Sequence, residues 1–195
     1  MSSSCRFTAF RHVAAILLTV AFVAACAEDS GSEFGEANRV ALTDGALSPE
    51  GSTGRTPAVE GSIRDLGFDS LSSGESDTFA SHLDKPLVVN FFAAWCSPCR
   101  AELPEFESVY QELSGEVNFI GISRDDSPDA SLELLAETGV TFPSGWDDDG
   151  SLFPELGLLG MPSTLMVDRD GVVAEQWSGV LTAQGLRDLI TDNLL

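Results

Sequence analysis

A single junction constrains this chain most. Val88-Val89-Asn90-Phe91-Phe92-Ala93-Ala94 runs directly into Trp95-Cys96-Ser97-Pro98-Cys99-Arg100. Leu87–Phe92 is almost continuously apolar, the pattern of a central strand covered on both faces. Helical spacing follows over 97–113, with Phe106, Val109, Tyr110 and Leu113 on one side. Pro98 suits the first helical turn, where its missing N–H costs nothing. A strand therefore feeds a helix at the cysteines. One sulfur is expected to stand exposed at the helix N-terminus, with the second within bonding distance. A free thiol of pKa about 8.5 is only a few per cent thiolate at neutral pH, whereas helix-terminal Cys-x-x-Cys thiols fall to about 7 or lower. Cys96 is then the attacking thiol, and Cys99 resolves the mixed disulfide.

The other two of the four cysteines, Cys5 and Cys26, belong to a different segment. Residues 1–12 carry Arg6 and Arg11 and no acid, and 13–25 is an apolar run. As a helix that run spans roughly 20 Å, short of the roughly 30 Å hydrocarbon core of a bilayer. A signal peptide over residues 1–25 fits better than a spanning helix. Val23-Ala24-Ala25-Cys26 resembles the lipobox of bacterial lipoproteins, which implies acylation of Cys26 and attachment by lipid alone. Cleavage at Ala25-Cys26-Ala27, with release, is the alternative. After removal of the leader, Cys96 and Cys99 are the remaining thiols. As a structural staple their four-residue loop is worth only about 2 kcal/mol, against about 3 for fifteen residues, so a redox role explains the pair better.

Ten basic residues face 31 acidic ones, a formal net charge of −21. Without residues 1–25 the balance is 8 basic to 31 acidic, net −23. Such a surface repels phosphate backbones and excludes nucleic-acid binding. Acids such as Asp125-Asp126 and Asp147-Asp148-Asp149 read as solvated loops.

Residues 26–56 are polar and Gly/Ser-rich without a clear period, as in a disordered, lipid-anchored tether. Residues 57–195 suffice for one domain with a real core. Short strands broken by glycines are expected over 58–79. The order thereafter is strand 87–92, helix 97–113 kinked at Pro104, strand 117–123 and helix 130–138 ended by Gly139. A short helical turn at 151–156 precedes a hairpin of strands 164–168 and 172–179. A closing helix 183–194 has Thr182 as its N-cap. The β-α-β-α-β-β-α order is that of an α/β thioredoxin fold, a central mixed sheet flanked by helices, with an N-terminal β extension.

Other chemistries fit less well. Zinc wants four ligands, and beyond the two thiols the mature chain offers only His82, which reads as a surface residue. Haem attachment needs histidine after the second cysteine, where Arg100 stands. Peroxiredoxins place threonine three residues before the reactive cysteine, where Ala93 stands. No G-x-S-x-G elbow is present. The pair calls for no cofactor and no metal.

Residues 57–195 resemble the exported, membrane-tethered thioredoxin-like proteins of the TlpA/ResA type. The likeness rests on Trp95-Cys96-Ser97-Pro98-Cys99-Arg100, Glu102-Leu103-Pro104, Gly160-Met161-Pro162-Ser163-Thr164 and Val167-Asp168-Arg169-Asp170-Gly171. It implies a cis bond before Pro162, with Pro162 against the disulfide, Met161 backbone pairing with an extended substrate, and Trp95 beside the site. Glu102 is implied to line the active-site cavity and to tune cysteine protonation. It lies three residues beyond Cys99, on the same side of the helix. Asn90 takes the place of the buried aspartate of cytosolic thioredoxins, so another proton acceptor is required. Trp146 and Trp177 read as core or surface aromatics. The implied activity is thiol–disulfide exchange outside the cytoplasm of a bacterium. Reduction of exported disulfides, such as the Cys-x-x-Cys-His motif of apocytochrome c, is expected, with electrons from a membrane-embedded thiol carrier. A disulfide-forming oxidase, or a copper-holding module using Cys96, Cys99 and Met161, are the alternatives.

Overall fold

The computed structural model describes residues 54–55 and 61–195. The expected leader 1–25, Cys26 and most of the tether lie outside the described residues. Eight strands form one sheet in the order β1-β8-β7-β4-β5-β6-β2-β3. They are β1 Gly54–Arg55, β2 Gly67–Ser70, β3 Ser76–Thr78, β4 Leu87–Phe92, β5 Asn118–Ser123, β6 Ser144–Trp146, β7 Ser163–Val167 and β8 Val173–Ser178. Four α-helices accompany them: α1 Ser97–Leu113, α2 Pro128–Thr138, α3 Leu152–Glu155 and α4 Ala183–Asn193. β4, β5 and β6 run parallel, whereas β7 and β8 are antiparallel to their neighbours. The mixed sheet and flanking helices are those of a thioredoxin fold, and the β2–β3 hairpin supplies the N-terminal extension. Gly54–Arg55, placed by the sequence at the end of the tether, pairs with β8 at the opposite edge.

All six residues of β4 are buried. Their alternate side chains feed two cores. Val88 and Phe92 join Leu103, Phe106, Val109, Leu134, Leu186 and Ile190 beneath α1, α2 and α4. Leu87, Val89 and Phe91 join Phe79, Leu152, Phe153, Leu165 and Val167 on the other face. α1 remains one helix across Pro104, whose ring lies on the exposed side. α2 begins two residues earlier than its apolar pattern suggests, because the Ser127 hydroxyl caps Asp129 N–H and Pro128 fits the first turn. Thr182 caps α4 as expected, accepting from Gly185 N–H at 3.2 Å.

The sequence reading missed β6. Three residues, Ser-Gly-Trp, carry no usable period, yet their backbone bridges β5 and β2. Among the described residues no helix is long and apolar enough to cross a membrane.

Candidate active site

The end of β4 delivers Cys96 to the first residue before α1. There it acts as the N-cap, its Sγ accepting the Cys99 N–H at 3.2 Å. The two cysteines form a disulfide, with Cα atoms 5.3 Å apart. The expectation of an exposed sulfur needs correction: Cys96 is 4% exposed and Cys99 is buried. Capping is the cause, because it turns Sγ inward over the first turn of the helix. Trp95 takes the exposed position instead, at 66%, and is no core residue. Cys96 stands at the positive end of α1, so a free sulfur at this N-cap position meets an environment that favours a thiolate.

Phe91 pairs with Ser163 across β4 and β7. This register sets the loop Gly160-Met161-Pro162 beside the segment that leads to Cys96. The Met161–Pro162 bond is cis. Pro162 is buried and Met161 half-buried. The loop is held by Gly179 N–H donating to Pro162 O at 2.9 Å and by the Ser163 hydroxyl donating to Gly160 O at 2.6 Å.

Glu102 sits on α1 behind the disulfide, with no exposed surface. It is enclosed by protein and does not line an open cavity. Asn90 Nδ2 donates to its Oε1 at 2.8 Å, and Leu181 N–H donates to Oε2 at 3.0 Å. Burial pushes its pKa up to about 7, against the opposing pull of these two hydrogen bonds. Asn90 Oδ1 has no protein partner. The amide can thus offer N–H to the carboxylate or, turned over, C=O to the neutral acid. Such a group can take and return a proton near neutral pH.

Two acids read as solvated are buried. Asp125 and Asp147 are each 5% exposed. Asp147 Oδ1 accepts Leu152 N–H at 3.2 Å, and burial raises its pKa. Asp125 grips the loop before Cys96: both its oxygens accept Ala94 N–H, at 2.9 and 3.0 Å. A run of two or three acids carries no mark of which member turns inward; one donor that holds Asp125, Ala94 N–H, lies 31 residues away. His82, expected on the surface, is partly buried against Asp77, its Nε2 at 3.0 Å from Oδ2. Trp146 is half-buried and donates its indole N–H to Asp125 O at 2.7 Å. Trp177 is also half-buried, while Arg100 lies exposed in an ion pair with Glu137.

A thioredoxin-like protein with a two-cysteine centre at a helix N-terminus is what this fold and site define. Residues 67–176, more than half of the chain, match the model of the AhpC/TSA family, and the chain belongs to that family. It is 25% identical over 107 residues to the thiol-disulfide oxidoreductase ResA of Bacillus cereus, covering 54% of this chain and 62% of that protein. Identity to the thiol:disulfide interchange protein HelX of Rhodobacter capsulatus is 32% over 108 residues, 55% of this chain and 57% of the other. For the interchange protein DsbE of Pseudomonas fluorescens it is 34% over 105 residues, 53% and 57%. The chain thus spans roughly three fifths of the length of these curated relatives. A DsbF homologue from Corynebacterium diphtheriae superposes with a TM-score of 0.63 at 26% identity, covering 74% of this chain and 96% of that one.

Proposed function

We propose that this protein is an extracytoplasmic thiol–disulfide oxidoreductase that reduces disulfides in exported proteins, apocytochrome c among them. The observation that carries the reading is the enclosed Glu102, tuned to about pH 7 behind the disulfide. The Cys96 thiolate attacks a client disulfide, forms a mixed disulfide and releases one client sulfur as a thiol. Cys99 gives its proton to Glu102 and attacks Cys96. The Cys96–Cys99 bond closes, and the second client sulfur leaves as a thiol. Two electrons pass to the client, and a membrane dithiol carrier restores the reduced pair. Exposed Trp95 and half-buried Met161 form the contact surface for the client, with the buried Pro162 behind them, supported by their placement around the loop before Cys96. Acylated Cys26 and the tether that runs up to β1 hold the domain at the outer side of the cell membrane.

Cys99→Ser should accumulate a Cys96-dependent adduct with its client in the native envelope, identifiable by mass spectrometry. Absence of any such adduct overturns the exchange mechanism. The reduction potential against glutathione decides direction: a value well above about −200 mV makes the protein an oxidase.

A further inference from the structure

One buried carboxylate has no part in the exchange steps. Asp125 follows β5, and Ala94 N–H bonds to both of its oxygens. The Ser131 hydroxyl of α2 donates to Oδ2 at 2.8 Å, and the Ser123 hydroxyl lies 3.1 Å from the same oxygen. Ser123 Oγ in turn accepts Asp125 N–H at 3.1 Å. Trp146 of β6 holds Asp125 by its carbonyl. Every group against the carboxylate is a donor, the surroundings that suit an anion. Ala94 precedes Cys96 by two residues, so their Cα atoms are at most about 7 Å apart.

We propose that Asp125 is a positioning residue that fixes Ala94 and sets a negative charge beside the Cys96 sulfur, making the cysteine pair a stronger reductant than the helix terminus alone would allow. The inference rests on the reductase reading. The N-terminus of α1 stabilises a thiolate, hence the reduced form, and raises the potential. A fixed negative charge opposes that, while the uncharged disulfide is little affected. The equilibrium of protein disulfide plus two glutathione with protein dithiol plus glutathione disulfide therefore moves toward the oxidised protein. The other charges around the loop leave this effect standing. Arg100 on α1 is paired with Glu137 of α2, and Arg124 turns to Asp147 at 3.9 Å. Asp126 is exposed, and Glu102 lies behind Cys99.

The test uses the full chain, equilibrated with glutathione, together with the pH profile of Cys96 alkylation by iodoacetamide. Asp125→Asn keeps the shape and one oxygen for Ala94 N–H but removes the charge. It should make the disulfide about three to ten times more reducible, a rise of about 15 to 30 mV, and lower the alkylation midpoint. Ser131→Ala loosens the same carboxylate without discharging it and should leave both readouts at the wild-type value. An unmoved potential in Asp125→Asn, or an equal shift in Ser131→Ala, overturns the proposal. A strongly oxidising wild-type protein sinks the reductase reading instead, and the difference between variant and wild type still reports the Asp125 effect.

Discussion

Glu102 concentrates the most chemistry in one side chain, and its cost is measurable. Its folded pKa of about 7 exceeds the ordinary 4.5. Between those values the native state holds a proton that the unfolded chain has lost. The stabilisation is therefore complete below about pH 4.5 and disappears as pH rises through 7, about 3 kcal/mol across the window. Tm should fall from pH 5 to pH 8 by more than acidic surface repulsion alone produces. Glu102→Gln should flatten that slope. Gln is tolerated because Asn90 can turn its free Oδ1 toward the new amide. Parallel Tm curves for wild type and variant would assign the slope elsewhere. The same variant should lose any inflection near pH 7 in the rate at which the mixed disulfide is resolved, seen by rapid-quench kinetics.

At the scale of the element, β6 is the piece that joins the thioredoxin-type strands to the N-terminal hairpin. Gly145 is in register with Ile122 on one side and Ser70 on the other, and the Phe68 ring lies against its Cα. A Cβ there collides with that ring, which also packs on Phe79 at 5.1 Å between centroids. Gly145→Ala should cost about 1 to 3 kcal/mol, read as a lower urea midpoint at unchanged slope. An unchanged midpoint would mean that Phe68 moves aside freely. This element also marks where reading the sequence stops. β4, α1, β5, the β7–β8 hairpin and α4 are legible because their apolar spacing and caps are local. β6 becomes a strand because its neighbours on both sides offer unpaired backbone. The site divides the same way. Cys96 and Cys99 follow from their spacing at the start of one helix, and Glu102 from the family resemblance joined to its place three residues beyond Cys99. The hold of Leu181 on Glu102 spans 79 residues, and that of Asp125 on Ala94 spans 31, so no local pattern announces either.

For the whole molecule, charge and topology act together. β4, β5 and β6 are parallel, so their C-terminal ends share one edge of the sheet. Cys96 emerges there, and so do the exposed Asp126, Asp148 and Asp149. Exposed Arg100 is already paired with Glu137. With 31 acidic residues against 10 basic over the chain, the field a client meets on approach is negative. Such a field steers cationic partners, and its reach is about 10 Å at 0.1 M salt but about 3 Å at 1 M. Disulfide peptides flanked by lysine or arginine should therefore be reduced at least about tenfold faster than matched peptides flanked by aspartate at low ionic strength. The gap should close as salt approaches 1 M, because the rate for the basic peptide falls while that for the acidic peptide rises. Stopped-flow measurement of the second-order rate constants tests this directly. Equal rates at low salt would mean that selection of clients rests on the apolar contacts around Trp95 and Met161, with the acidic surface serving solubility alone.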